Sequence, residues 1–308
     1  MKHLFFDSSM RLRNGWWIVA FIALMLGSRF VYTPVSRALQ DLGTPQDLLE
    51  PLRFAFLLLV TWICVRLRRQ RLSSIGFVLD GRWARELGVG TLLGVASALL
   101  AAAMIWGVGG AQFELDPARS PGMLAYGVYV FLFVALFEET LFRGFVFQRF
   151  ADGAGIWAAQ LTLGLVFATS HWGNPDMSGA TLALATVELF LGAVLLGLAY
   201  WRTRSLALPI GLHLGWNWTQ GYALGFDVSG FDHNGWLRPL LQDLPEWVTG
   251  GRFGLEASVF AVVVDVLLIL LLWRWKGSAE RSMASAPVPD FLAQQAIAKP
   301  EPITTGRP

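Results

Sequence analysis

Residues 137–144 read Phe137-Glu138-Glu139-Thr140-Leu141-Phe142-Arg143-Gly144 (FEETLFRG), and they place charges inside an otherwise apolar run from Val128 to Phe150. That run has the length and composition of a helix buried in a lipid bilayer. An ionisable group at that depth costs from about 2.5 kcal/mol upward, so Glu138, Glu139 and Arg143 together mark an intramembrane functional site by default. At helical spacing Glu139 and Arg143 lie four apart and can pair on one face, with Glu138 turned about 100 degrees away. One glutamate is then neutralised and the other is left over. The plainer alternative is that all three pin neighbouring helices together.

The rest of the chain fits a membrane setting. It is 55% apolar and 15% charged, with a mean hydropathy of +0.51, which excludes an ordinary soluble domain. The expected fold class is all-α, a polytopic helical bundle of about eight transmembrane helices enclosing a polar catalytic cavity. The windows are Trp16 to Tyr32, Phe54 to Val65, Leu87 to Val108, Met123 to Phe147, Ile156 to Trp172, Ala180 to Tyr200, Leu206 to Leu224 and Ala257 to Trp273.

Charge sets the orientation. Lys2, Arg11 and Arg13 precede the first window, a basic group from Arg66 to Arg85 follows the second, Arg143 and Arg149 end the fourth, Arg202 and Arg204 follow the sixth, and Arg274 and Lys276 follow the last. The alternate loops hold Asp41, Asp47 and Glu50, then Glu114 and Asp116, then Asp227, Asp232, Asp243 and Glu246. Basic loops face the cytoplasm, so both termini are expected there, in a cell (plasma) membrane, and the compactness and loop economy of the chain point to a bacterial setting. The net charge of +2 is therefore segregated by side, which favours lipid headgroups and gives no reason to expect nucleic acid. The single cysteine, Cys64, provides neither a disulfide framework nor a cysteine metal cluster. The first window reads as a signal anchor rather than a cleavable leader.

The organisation expected is a cytoplasmic segment 1–15, N-terminal membrane helices 16–121, a catalytic membrane core 122–224, an extracytoplasmic loop 225–256, a last helix 257–275 and a disordered tail 276–308. The tail has no terminal cysteine box. The long loop is expected to cap the outer face, with His233 an ordinary exposed residue.

Two further polar constellations fall within the apolar windows. In VFATSHWGN, Phe167 and His171 are four apart; in GLHLGWNW, His213 and Asn217 are four apart on one helix face. One such histidine would be read as a satisfied core residue. Two histidines, an asparagine and a spare carboxylate suit hydrolysis instead. A desolvated glutamate can take a proton from water, a neutral histidine can orient that water, and a second histidine with an asparagine amide can stabilise an oxyanion. Zinc or another divalent metal held by Glu138, His171 and His213 is the competing chemistry, although no HExxH is present. A helix starting at Ile156 puts His171 near its far end. A shared site therefore requires a deep start, a strong tilt, or a sheltered turn at Asp152 to Gly155.

EETLFR, FATSH and HLGWN, in this order between about Gly122 and Tyr222, resemble the EExxxR, FxxxH and HxxxN/D signatures of the CAAX prenyl protease and bacteriocin-processing (CPBP, or Abi) family. The resemblance implies an intramembrane endopeptidase. Glu138 would activate water with help from His171, His213 and Asn217 would form the oxyanion site, and Glu139 and Arg143 would support the motif helix. The expected substrate is a membrane-associated peptide or protein, prenylated or not. A non-proteolytic scaffold or bacteriocin-immunity protein using the same cavity is the alternative, and a proton-coupled transporter is weaker because no internal repeat is evident.

Overall fold

The computed structural model describes residues 2–6, 10–275 and 277, so the tail expected at 276–308 falls, Gly277 apart, outside the described residues. Every apolar window is occupied by helix. The principal helices are α1 (Asn14–Asp41), α2 (Glu50–Leu67), α3 (Gly81–Gly107), α4 (Pro121–Arg143), α5 (Phe145–Ala154), α6 (Ile156–Ser170), α7 (Gly179–Thr203), α8 (Ala207–Trp218) and α9 (Val259–Arg274). Several starts are set by side-chain caps. Asp80 accepts from the Trp83 amide at 2.8 Å, and Ser120 accepts from Met123 at 3.1 Å with Pro121 in the first turn.

Among the described residues, four segments are long and apolar enough to cross a membrane: Asn14–Asp41, Gln46–Leu67, Gly81–Gly107 and Gly179–Thr203. The chain is thus a multi-pass helical membrane protein, but eight full crossings are not shown. Helices α6 and α9 have 15 and 16 residues, and α8 has 12 before a π-helical turn of 5 continues it to Ala223. At up to 1.5 Å per residue these segments reach about 22 to 26 Å, short of a hydrocarbon core of about 30 Å.

The fourth window, expected to run to Phe147, breaks at Gly144. There the backbone leaves the helical region (φ −76°, ψ −124°), and a Cβ would collide with the Thr140 carbonyl. The chain restarts as the amphipathic α5 and turns again at Gly155, whose φ of +90° suits glycine. Residues 152–155 are exposed, so the shelter expected for that turn is not supplied by the protein. Helix α6 ends at Ser170 with His171 as its C-cap.

The fold is not purely α-helical. Strands β1 (Ala111–Leu115) and β2 (Leu237–Leu241) form an antiparallel pair with Phe113 opposite Pro239. The loop 225–256 packs as a cap through buried Phe226, Val228, Phe253 and Leu255, while Phe231 and Trp247 remain exposed. His233 is half-buried rather than exposed: its ring stacks on Phe131 at 5.3 Å and meets Tyr222 edge-on at 5.4 Å.

Candidate active site

The i,i+4 spacing on α4 turns Glu139 and Arg143 into the bundle. Their side chains are 0% and 3% exposed, and Arg143 Nη1 donates to Glu139 Oε1 at 3.0 Å. Arg143 Nη2 donates to the Ala193 carbonyl on α7 at 2.9 Å, which ties the motif helix to its neighbour. Buried charges of this kind persist only when paired and hydrogen-bonded. Glu138, on the adjacent face, keeps 19% of its side chain exposed.

His213 and Asn217 lie on α8, and the placement of α8 is decided by glycine. A Cβ at Gly90 or Gly94 of α3 would strike the carbonyls of Leu208 or Leu212, and one at Gly211 or Gly215 of α8 would strike those of Leu87 or Thr91. The two helices therefore meet backbone to backbone through reciprocal small-xxx-small pairs. Below Trp218, α8 widens into a π-helical turn, Thr219–Ala223, an irregularity frequent at functional sites.

With its helix fixed, the His213 ring lies between the two glutamates. Nδ1 is 2.9 Å from Glu139 Oε1. A carboxylate ionised against Arg143 can only accept, so Nδ1 carries the hydrogen and donates. Nε2 then faces Glu138 Oε2 at 3.8 Å. This is too long for a hydrogen bond, yet both atoms can touch one water molecule.

The structure thus brings Glu138, Glu139, Arg143 and His213 into one cluster. Asn217 lines a cavity with His213 and Phe167. His171 has no bond to Glu138 or His213; its Nδ1 lies 2.8 Å from the Phe167 carbonyl, and its link to the cluster is the Phe167 ring, on which Arg143 also lies at 5.3 Å.

Three residues absent from the sequence reading share that cavity: Glu188 on α7, Asp265 on α9 and Glu256 just before α9, each 5% exposed or less. Glu188 and Asp265 were detectable by the same signal as Glu138, a lone acid within an apolar window. Glu256 lies in the loop and carries no such mark. His171 and His213 both act electrostatically on Glu256.

The metal alternative finds no ligand set. Among the described residues no group of three His, Cys, Asp or Glu side chains is placed to hold a metal ion, so no step is derived through one.

Residues 120–219, about a third of the chain, match the family model described as Rce1-like, type II CAAX prenyl endopeptidase. The matched segment runs from the cap of α4 to the start of the π turn and contains every motif residue above. No curated protein and no solved structure matches the chain.

Proposed function

We propose, from the match of segment 120–219 to the Rce1-like type II CAAX prenyl endopeptidase model, that this chain is an intramembrane endopeptidase whose general base is Glu138. The supporting observation is the division of labour between adjacent glutamates. Glu139 is consumed by Arg143 and His213, while Glu138 is partly exposed beside His213 Nε2. A free carboxylate beside a fixed imidazole is the minimal equipment for activating water.

Glu138 takes a proton from water as the hydroxide adds to the peptide carbonyl. The resulting oxyanion is met by the Asn217 amide and by His213 Nε2 when that atom is protonated, and each such donor contributes about 3 to 4 kcal/mol at the transition state. Glu138 then returns its proton to the leaving amine as the C–N bond breaks. Glu139, anchored by Arg143, fixes the His213 tautomer. His171 acts through Phe167 as a positioning residue. The substrate is a membrane-associated peptide or protein, with the enzyme in the cell membrane and both termini in the cytoplasm.

The test is cleavage of a quenched peptide library, with prenylated and unprenylated members, by detergent-purified wild type and Glu138→Gln, each with and without chelator. Glu138-dependent cleavage that survives chelation is expected. Full activity in a folded Glu138→Gln protein would sink the assignment, and loss on chelation with rescue by zinc would replace it with a metal mechanism.

A further inference from the structure

His213 and Asn217 also line a chamber whose wall does not include Glu138 and whose other polar residues the hydrolytic chemistry does not use. Its volume is about 70 Å3, room for the end of one side chain rather than for a peptide backbone. Its walls come from α3, α7, α8 and α9, and besides His213, Asn217 and Ser97, whose hydroxyl is spent on the Leu93 carbonyl, its polar groups are the acids Glu188, Glu256 and Asp265. Glu256 spends one oxygen, Oε2, on the Ser229 amide and hydroxyl, both at 2.8 Å. Asp265 Oδ2 is fully buried and has no hydrogen-bond partner. That oxygen faces the open side of Gly192, itself a wall residue, where an added Cβ would lie 3.5 Å from it.

Among the described residues no lysine, arginine or histidine forms a close ion pair with any of the three acids, and the histidines that act on Glu256, His171 and His213, do so from beyond 4 Å. Buried carboxylates without a cation are costly, and two of these sit in apolar helices at membrane depth. The remaining wall is aliphatic, with Leu189, Leu196, Leu212 and Leu268, plus the Trp216 ring. Leucines around a run of methylenes, a tryptophan and buried carboxylates in one chamber describe a receptacle for a long side chain with a positive tip. No three of the acids and histidines converge as metal ligands, so the geometry suits an extended organic cation better than an ion.

We infer that this chamber is a specificity subsite that takes the lysine or arginine side chain of a peptide cleaved at Glu138, an inference that rests on the protease reading. His213 and Asn217 line the chamber and also supply the oxyanion site, so a side chain filling the chamber sets the scissile bond against Glu138. Asp265 and Glu188 are the specificity-determining residues.

Two arms on the purified full-length protein test it. In the first, melting temperature is followed as n-butylammonium or n-butylguanidinium is added, with 1-pentanol as the neutral match. A saturable rise with the cations alone is expected, and it is lost in Asp265→Asn and Glu188→Gln. The wild-type contrast needs no variant to fold. In the second, library peptides cut in a Glu138-dependent way are compared with lysine or norleucine at each position flanking the cut. The lysine peptide is expected to have the higher kcat/KM by about tenfold to a hundredfold at one position, falling toward parity in Asp265→Asn. Equal stabilisation by 1-pentanol, or cleavage without lysine preference at any position, would overturn the subsite while leaving the protease intact. Cation binding that depends on the carboxylates, in a protein that cuts nothing, would overturn the link to proteolysis and count against the protease reading itself.

Discussion

The adjacent glutamates, one buried against Arg143 and the other partly exposed, are expected to fail in opposite ways. Replacing Glu139 by Gln removes the carboxylate charge bonded to Arg143, whose guanidinium is 3% exposed and is left with neutral neighbours, the Ala193 carbonyl and the Phe167 ring among them. Breaking a buried pair from one side costs about 3 to 5 kcal/mol, because the other charge stays behind unpaired. At about 1.4 kcal/mol per tenfold, the folded-to-unfolded ratio falls between about a hundredfold and several thousandfold. Glu138→Gln removes a side chain with 19% exposure whose contact with His213 is 3.8 Å long, so its cost is expected below about 1 kcal/mol. The assay is denaturant-titrated unfolding in mixed micelles, read by tryptophan fluorescence, for which 14 tryptophans provide ample signal. Glu138→Gln should keep the wild-type midpoint and lose cleavage; Glu139→Gln should lose the midpoint. Equal destabilisation by both, or a larger loss from Glu138→Gln, would refute the division of roles drawn from the geometry.

Two other outcomes follow from features away from the carboxylates. In Gly94→Ala the new Cβ would lie 2.7 Å from the Trp216 amide nitrogen and 3.0 Å from Gly215 Cα, against an ordinary contact of 3.4 Å or more, so α3 and α8 must separate; a loss of about 1 to 3 kcal/mol in the same titration is expected, whereas Gly88→Ala, with nothing within 4 Å, should be silent. Asp227, in the capping loop, has its carboxyl pKa raised by burial first and by Asp232 second, opposed by His233 and Arg252. Folding therefore favours its protonated form, and that contribution is full below the unfolded carboxylate range and disappears as pH rises through the folded value. Thermal midpoints of wild type should fall relative to Asp227→Asn as pH rises above the ordinary carboxylate value of about 4, and parallel curves would contradict this.

The legible parts of the molecule are the local ones. The i,i+4 relation of Glu139 and Arg143 needs nothing but the helical repeat, and the same is true of His213 and Asn217 on α8. Every apolar window contains helix for the same reason. What could not be read depends on partners distant in sequence. The break at Gly144 looks like continued helix until its backbone is seen against Thr140. The neighbour of Glu138 is His213, 75 residues on, rather than the nearer His171, because glycine contacts with α3 fix where α8 lies. Glu188 and Asp265 were visible as letters, but their common cavity was not. The β1–β2 pair joins segments with too little alternation to announce a strand.

The contact between α3 and α8 also says how the chain can vary. Wherever side chains cushion two helices, a larger residue on one can be compensated by a smaller one on the other. At Gly90, Gly94, Gly211 and Gly215 nothing remains to shrink, since the opposing surface is peptide backbone. Those four positions are locked individually, with no second-site rescue open to them, whereas the leucines around them can be exchanged in concert. The histidine between Gly211 and Gly215 is thereby held by the least editable part of the sequence.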